Sequence, residues 1–448
     1  MKRLSIALAL IGALAAGNAL AWGNHSFPAY RAFERMPEVA NAAPVTVESL
    51  DSFLKAEERS IEALLASQEA WAAANLENYP ARPAALAFKA NPGRADDARR
   101  LAFISALRIS PKSLFALYLQ PDPQTSPDPA SLLPFAAVNS LPEPANGTHR
   151  FVGLKAGDQV APLAVLASAS DEPDYGLDIN LWDDSPSDWG KVYGFGKLPF
   201  GNPTLSFATQ APFHMAFYYQ DWILYKAAPF IKRTFPLLRT HQYSSLAALA
   251  FRSGHPYWGW RFTGLALHYV QDLTQPYHAN LAPGDSTLRM IGAEVLALAG
   301  MGGTKKDLIV LLSNRHLALE RYQVQLLRSA AQSRRDTGLE QSLRRMDQDG
   351  RYPPWSDLYV RDVVAREAFD AGAALAQTLV ASMPPGMVSD PAFDFGVKES
   401  GIDLIAELSR LDPAKRDRLD SAVAELLGHF GAHSRNAVRG ILKAGGGS

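Results

Sequence analysis

The stretch ALHYVQDLTQPYHANL, residues 266–281, decides the reading of this chain. Its apolar positions Leu267, Val270 and Leu273 recur at helical spacing, which predicts an amphipathic helix. On that helix His268 and Asp272 stand four residues apart and share a face. Pro276 ends or bends the helix, and His278 follows two residues later. Two imidazoles and a carboxylate thus gather within one helical end and the turn beyond it.

Working outward, RHLALER (315–321) repeats the spacing, with His316 four residues before Glu320 on a second, Leu-rich helix over 307–333. Either pair alone reads first as a surface ion pair. Two helices that each offer a ligand pair on an apolar face are how helical bundles hold metals. Imidazole with carboxylate and no sulfur suits zinc. The chain has no cysteine, so neither a disulfide framework nor a thiolate site is available.

Most other segments also read as helix: 47–76, 95–109, 220–240, 241–253, 257–273 and 355–383, the last opening with Ser356 as its cap. HRFVGLKAG (149–157) and APLAVLAS (161–168) read as short strands at most. An all-α class follows. Residues 119–134 are Pro- and Ser-rich loop. Residues 171–204 form a long acidic, aromatic, Gly-rich loop, a kind of segment that usually carries function. The expected organisation is a leader over 1–21, a helical catalytic domain over 22–385, and a helical C-terminal appendage with a flexible end over 386–448.

The leader rests on Lys2, Arg3, the short apolar run from Leu4 to Ala16, and the small residues Ala19 and Ala21 at a cleavage site. The run is short for a membrane span. Export to the periplasm or medium is expected, with no transmembrane segment after removal of the leader. Cleavage there makes Trp22 the first residue and leaves His25 three residues on. The formal net charge of −1 gives no bulk argument for a nucleic-acid or anionic-membrane partner.

His268-x3-Asp272-x5-His278 with Pro276, followed by His316-x3-Glu320, resembles the zinc-dependent phospholipases C of bacteria and the related single-strand-specific zinc nucleases. In both groups the mature chain begins with tryptophan, whose amino group is a zinc ligand. The resemblance implies a multi-helix phospholipase C or zinc-nuclease-like domain and three zinc ions. DEPDYGLD (171–178) is similar to the family segment that supplies an aspartate, and selects Asp174 over Asp171 and Asp178. QAPFHMAFYYQD (210–221) selects His214, which is otherwise a core histidine. The implied ligand sets are Asp174, His214, His268 and Asp272 for the first zinc and His278, His316 and Glu320 for the second. Trp22, His25 and a bridging Asp272 would hold the third. Asp174 would also orient or deprotonate the attacking water, and a bridged metal pair suits in-line phosphoryl displacement.

The chain departs from the family in the short Trp22–His25 spacing, the wide Asp174–His214 spacing, and an insertion over 281–314. Tyr175 matches a tyrosine that meets a choline headgroup, an interaction aromatic faces favour; it is equally a packing tyrosine. Asp171, Glu172, Asp178, Asp183, Asp184 and Asp188 would repel a polyphosphate strand. The expectation is therefore an exported phospholipase C acting on the glycerol-side phosphodiester of phospholipids at a membrane surface, without nucleic acid as a partner. The alternatives are a single-strand-specific nuclease, whose bases would stack on the loop's aromatics, and a non-catalytic zinc-binding protein. His149, His241, His255, His429 and His433 match no motif. The C-terminal segment 422–444 would supply an amphipathic helix, either packed on the domain or interfacial.

Overall fold

Prolines mark where many of the helices begin. Pro162, Pro236, Pro256 and Pro413 each occupy a first helical position, where the missing N–H has no intrahelical partner to lose. A computed structural model describes residues 22–143, 149–201, 206–398 and 401–446; the expected leader lies outside them. The fold is all-α, with 62 % helix against 3 % strand and long connecting loops. The few strands make two small antiparallel sheets, Val45–Thr46 with Gln159–Val160, and Phe151–Gly153 between Tyr118–Leu119 and Leu132–Leu133.

The main helices are α1 (Ser26–Phe33), α2 (Leu50–Ala56), α3 (Glu58–Asn75), α4 (Asp96–Leu107) and α5 (Pro162–Ser170). They continue with α6 (Pro236–Arg252), α7 (Pro256–Asp272), α8 (Thr287–Leu298) and α9 (Gly303–Gln332). The last three are α10 (Gly338–Arg344), α11 (Ala365–Ser382) and α12 (Pro413–Ala444). Helix α7 is the central element and is buried along almost its whole length. It packs between α5 and α6. Gly264 makes the α5 contact possible: a Cβ there would lie 2.5 Å from Leu166 O and 2.6 Å from the Ala169 Cβ. That close approach brings the C-terminal end of α5, and the acidic segment after it, against the ligand-bearing end of α7.

Several expectations are corrected. APLAVLAS is helix α5, because both of its faces are covered and its small residues pack against α7. The segment 220–240 is not one helix: Pro229 and Pro236 break it into Trp222–Ala227, a turn, and the start of α6. Ser356 caps nothing, since helical structure begins only at Tyr359. The 171–204 stretch holds short helical turns at Glu172–Tyr175 and Asp188–Tyr193.

The C-terminal segment is not an appendage. Helix α12 packs on α1, α7 and α10, and its Ala437, Val438 and Ile441 belong to the same core as α7. Arg435 on α12 is fully buried; it donates to Ala32 O at 3.2 Å and Leu343 O at 2.6 Å and grips Asp349. The apolar face of this helix is therefore turned into the protein. No helix among the described residues is long and apolar enough to cross a membrane.

Candidate metal centre

The site grows from the C-terminal end of α7. Four residues separate His268 from Asp272, so both project from one face, and both are fully buried. His268 Nδ1 donates to Ser170 O at 2.8 Å, at the end of α5, which leaves Nε2 free to face the cluster. His278 sits on the turn Pro276–Ala279 and donates from Nδ1 to His214 O at 2.8 Å, again leaving Nε2 facing inward. His25 meets Gln271 Oε1 through Nδ1 at 3.0 Å and turns Nε2 toward Asp272 Oδ1 at 3.2 Å. Three imidazoles thus have their tautomer fixed by an acceptor behind the ring, the arrangement expected of metal-ligating histidines.

Among the described residues, three groups of buried donors result: His25, His268 and Asp272; Asp174, His214 and His268; and His278, His316 and Glu320. In the first two, His214 Nδ1 lies 2.9 Å from both Asp272 Oδ2 and His268 Nε2, and Asp174 Oδ1 lies 3.9 Å and 3.8 Å from those same two ring nitrogens. In the third, His278 Nε2 lies 3.1 Å from His316 Nε2, which is 2.6 Å from Glu320 Oε1. Ligand atoms held at ~2.0–2.1 Å around a tetrahedral zinc stand ~3.3 Å apart, so these separations suit a shared cation. The two oxygens of Asp272 face different partners, Oδ1 toward His25 and Oδ2 toward His214 and His268. Asp174 Oδ1 is buried without a hydrogen-bond partner, as expected of an oxygen that waits for a cation. The donor set of imidazole and carboxylate fits zinc.

Burial and neighbouring charges set the proton affinities of these groups. Burial opposes protonation of His214, yet Asp178 and Asp272 raise it to about 10. Burial likewise opposes protonation of His25, and Asp272 with Asp174 and Asp171 raises it to about 9. Burial works against ionisation of Asp272, but His268, His214 and His25 hold it well below the usual carboxylate range. Glu320 is lowered in the same way by His316 and His278 against its burial. Asp174 goes the other way: burial pushes it up despite the three nearby imidazoles.

Each aspartate of DEPDYGLD has its own task. Asp171 accepts the backbone N–H of His25 at 2.5 Å and of Ser26 at 3.1 Å, with Asn24 Nδ2 at 2.7 Å, and so anchors the N-terminal segment. Asp174 is the residue that faces the donors. Asp178 stands behind His214, 3.6 Å from its Nε2, too long for a hydrogen bond but close enough to act through charge. Arg239 at 2.7 Å and the Tyr269 hydroxyl at 2.6 Å hold Asp178 in place. Glu172 is paired with Arg261 at 2.6 Å. The expected repulsion of a polyphosphate strand thus loses three of its six acids: Asp171, Glu172 and Asp178 point inward, and only Asp183, Asp184 and Asp188 are exposed.

Trp22 is buried, its indole Nε1 donating to Gln271 O at 3.1 Å and Thr274 Oγ1 at 3.0 Å. Gly23 presses on α9, where an added Cβ would come 2.7 Å from Val324 Cγ2 and 3.7 Å from Glu320 O. The first described residues therefore lie between the ligand-bearing stretches of α7 and α9. Tyr175 is buried too and donates to Gln120 Oε1 at 2.6 Å. Its ring lines a cavity of about 370 Å³ shared with Asp171, Asp174, Gly23, Asn24, Phe135 and His149.

Sequence reasoning missed the supporting roles of Asp171, Asp178 and Gln271, and it missed His149 as a wall of the cavity. No local motif marks any of these. The other unmatched histidines are structural: His241 stacks on Trp71 at 3.8 Å, His255 pairs with Glu48 at 2.8 Å, and His433 with His429 flanks Glu367 at 2.8 and 3.4 Å. Set against known proteins, the chain matches no family model, no curated protein and no solved structure.

Proposed function

We propose that the chain is an exported, zinc-dependent phosphodiester hydrolase, and that it acts as a phospholipase C on zwitterionic phospholipids. The observation that carries this reading is the convergence of His25, Asp174, His214, His268, Asp272, His278, His316 and Glu320 in three donor groups, of which Asp174 also lines a cavity. When bound, zinc supplies Lewis acidity to a phosphoryl oxygen and to the attacking water. Asp174 faces both the donors and the cavity, so its carboxylate would orient that water or take its proton. Burial raises its proton affinity above the usual carboxylate range, the direction that favours a general base. The amino group of Trp22, released with the leader, would complete the third zinc, since an amide nitrogen cannot ligate in that way.

The cavity favours a choline-type headgroup. The rings of Phe135, His149, Tyr175 and Phe207 line it beside Glu143, Asp171 and Asp174, and no lysine or arginine is among the described lining residues. Aromatic faces with carboxylates attract a quaternary ammonium. The same rings favour the second reading, a nuclease that stacks a base. The test is a substrate panel with processed, zinc-loaded protein. Diacylglycerol release from phosphatidylcholine supports the proposal. Cleavage of single-stranded DNA alone selects the nuclease, and bound zinc with no hydrolysis of either leaves a metal-binding protein.

A further inference from the structure

Arg321 follows Glu320 on α9 and is half-buried. Its Nε is fully enclosed and has no hydrogen-bond partner, and no carboxylate among the described residues pairs with its guanidinium. A guanidinium stays charged at any working pH, and withdrawing a charge from water without a partner is costly. Three arginines buried deeper are each answered by an acid: Arg239 by Asp178, Arg261 by Glu172 and Arg435 by Asp349. Helix geometry sets the unanswered one at the edge of the cavity. Arg321, Val324 and Arg328 follow at i, i+3 and i+7 and share one stripe of α9. Gly23 crosses that stripe at its middle, where an added Cβ would come 2.7 Å from Val324 Cγ2, and Gly23 with Asn24 lines the cavity. The two arginines therefore border the cavity on either side of the crossing. Their charges act on each other and on the cavity wall. Burial and Arg321 lower the proton affinity of Arg328, and burial and Arg328 lower that of His149 against the pull of Asp171.

We propose that Arg321 binds a phosphoryl group, and that it holds the phosphate of the substrate at the edge of the cavity that takes the ammonium. Charge selects this division. The cavity is lined by Glu143, Asp171 and Asp174 with no lysine or arginine among its described residues, whereas the neighbouring stripe of α9 carries two arginines. A zwitterionic headgroup offers one charge to each side. The planar fork of arginine matches phosphate oxygens two at a time. The acids nearby do not answer Arg321. Glu320 is engaged with His316 at 2.6 Å and Gln275 at 3.1 Å. Asp403 follows Ile402, whose carbonyl Gln325 meets, and it caps Ala406 N–H at 3.0 Å. The choice of a phosphoryl group rests on the phosphodiesterase reading; the unpaired guanidinium does not.

The test is binding of inorganic phosphate to processed, zinc-loaded protein by calorimetry. Arg321→Met should weaken phosphate about tenfold and Arg321→Lys less, with zinc content by elemental analysis unchanged. No acid is stranded by the change, so the melting temperature without phosphate should hold or rise. On a monomeric short-chain phosphatidylcholine KM should rise about tenfold while kcat stays within about twofold, the mark of a group that binds ground and transition states alike. Arg59→Met, at an exposed position on α3, should change neither. No phosphate binding by the wild type, or equal affinity in Arg321→Met, overturns the proposal. So does a loss matched by Arg59→Met, which is bulk charge, or a loss that comes with loss of zinc, which acts through Glu320. If phosphate affinity falls as expected but the wild type cleaves no phosphodiester, the anion site stands and the proposed activity falls.

Discussion

Replacing Arg239 with methionine tests how the site is supported from behind. Arg239 is fully buried and makes two contacts with Asp178, at 2.9 and 2.7 Å. It also donates to Leu107 O at 2.7 Å, Arg108 O at 2.8 Å and Gln242 Oε1 at 2.8 Å. Removing the guanidinium leaves Asp178 at 0 % exposure with the Tyr269 hydroxyl as its hydrogen-bond donor. Stripping one partner from a buried ion pair costs about 3–5 kcal/mol. With an unfolding entropy of roughly 0.9 kcal/mol/K for a chain of this length, the loss should read as a fall of about 3–6 °C in the melting temperature. Asp178 also acts on His214 through charge, so zinc affinity should drop by about 10–100-fold, the usual effect of losing a partner behind a ligand. Calorimetry of the metal-free protein and zinc titration measure the two effects separately. Adding Asp178→Leu removes the stranded charge; it should restore part of the melting temperature and none of the affinity. A single variant that melts within a degree of wild type and binds zinc as tightly would refute the reasoning. So would a double variant that recovers both.

The remaining predictions concern the metal directly. His268→Ala should cost more zinc than His316→Ala, because His268 belongs to two donor groups and His316 to one; equal losses by elemental analysis would contradict the assignment. His25 and His214, raised to about 9 and about 10, both carry protons at pH 7, and zinc must displace them. Filling the first two donor groups should therefore release about two protons, and apparent affinity should rise with pH up to about 9; calorimetry in buffers of different ionisation enthalpy reads this, and no dependence on buffer would refute it. One extra residue before Trp22 should remove a zinc ion and most of the activity, and a fully metallated, fully active extended protein would show that the amino group is not a ligand.

What was legible in the sequence was local. His268 with Asp272 and His316 with Glu320 declare a shared face by their spacing alone, and the absence of alternating segments declares an all-α class. What was not legible depends on partners far along the chain. Glu172 looks like a surface acid until Arg261, 89 residues away, is seen beside it, and Asp178 likewise until Arg239 is placed. Charge counted along a loop cannot tell an inward acid from an outward one. The depth at which helix α12 sits in the core was illegible for a related reason: the composition changes after Pro385, but Arg435 is neutralised by Asp349, 86 residues earlier. His149 reaches the cavity through the small β-sheet that carries Phe151, a tertiary placement with no sequence signature.

These long-range contacts also argue that metal site and fold form one cooperative unit. The donors span residues 25 to 320, and the first described residue is tied to α7 across 249 positions by the Trp22–Gln271 hydrogen bond. Gln271 carries the connection further. Its Oε1 meets His25, while its Nε2 donates to Ser434 on α12 at 3.2 Å. A cation bound at His25 and Asp272 would therefore hold the amino-terminal segment, the central helix and the carboxy-terminal helix at one point. Burying so many carboxylates and imidazoles is costly unless they are mutually paired or bound to a cation. In the metal-free protein protons meet that demand on His25 and His214, and they are lost as the pH rises through about 9 to 10. Both raised histidines then stop stabilising the fold, whereas bound zinc is favoured by the same loss of protons. The stabilisation by zinc should thus widen as pH climbs from 6 to 9, and it should appear in the main unfolding transition, because the donors and the groups that support them run from Trp22 to Ser434.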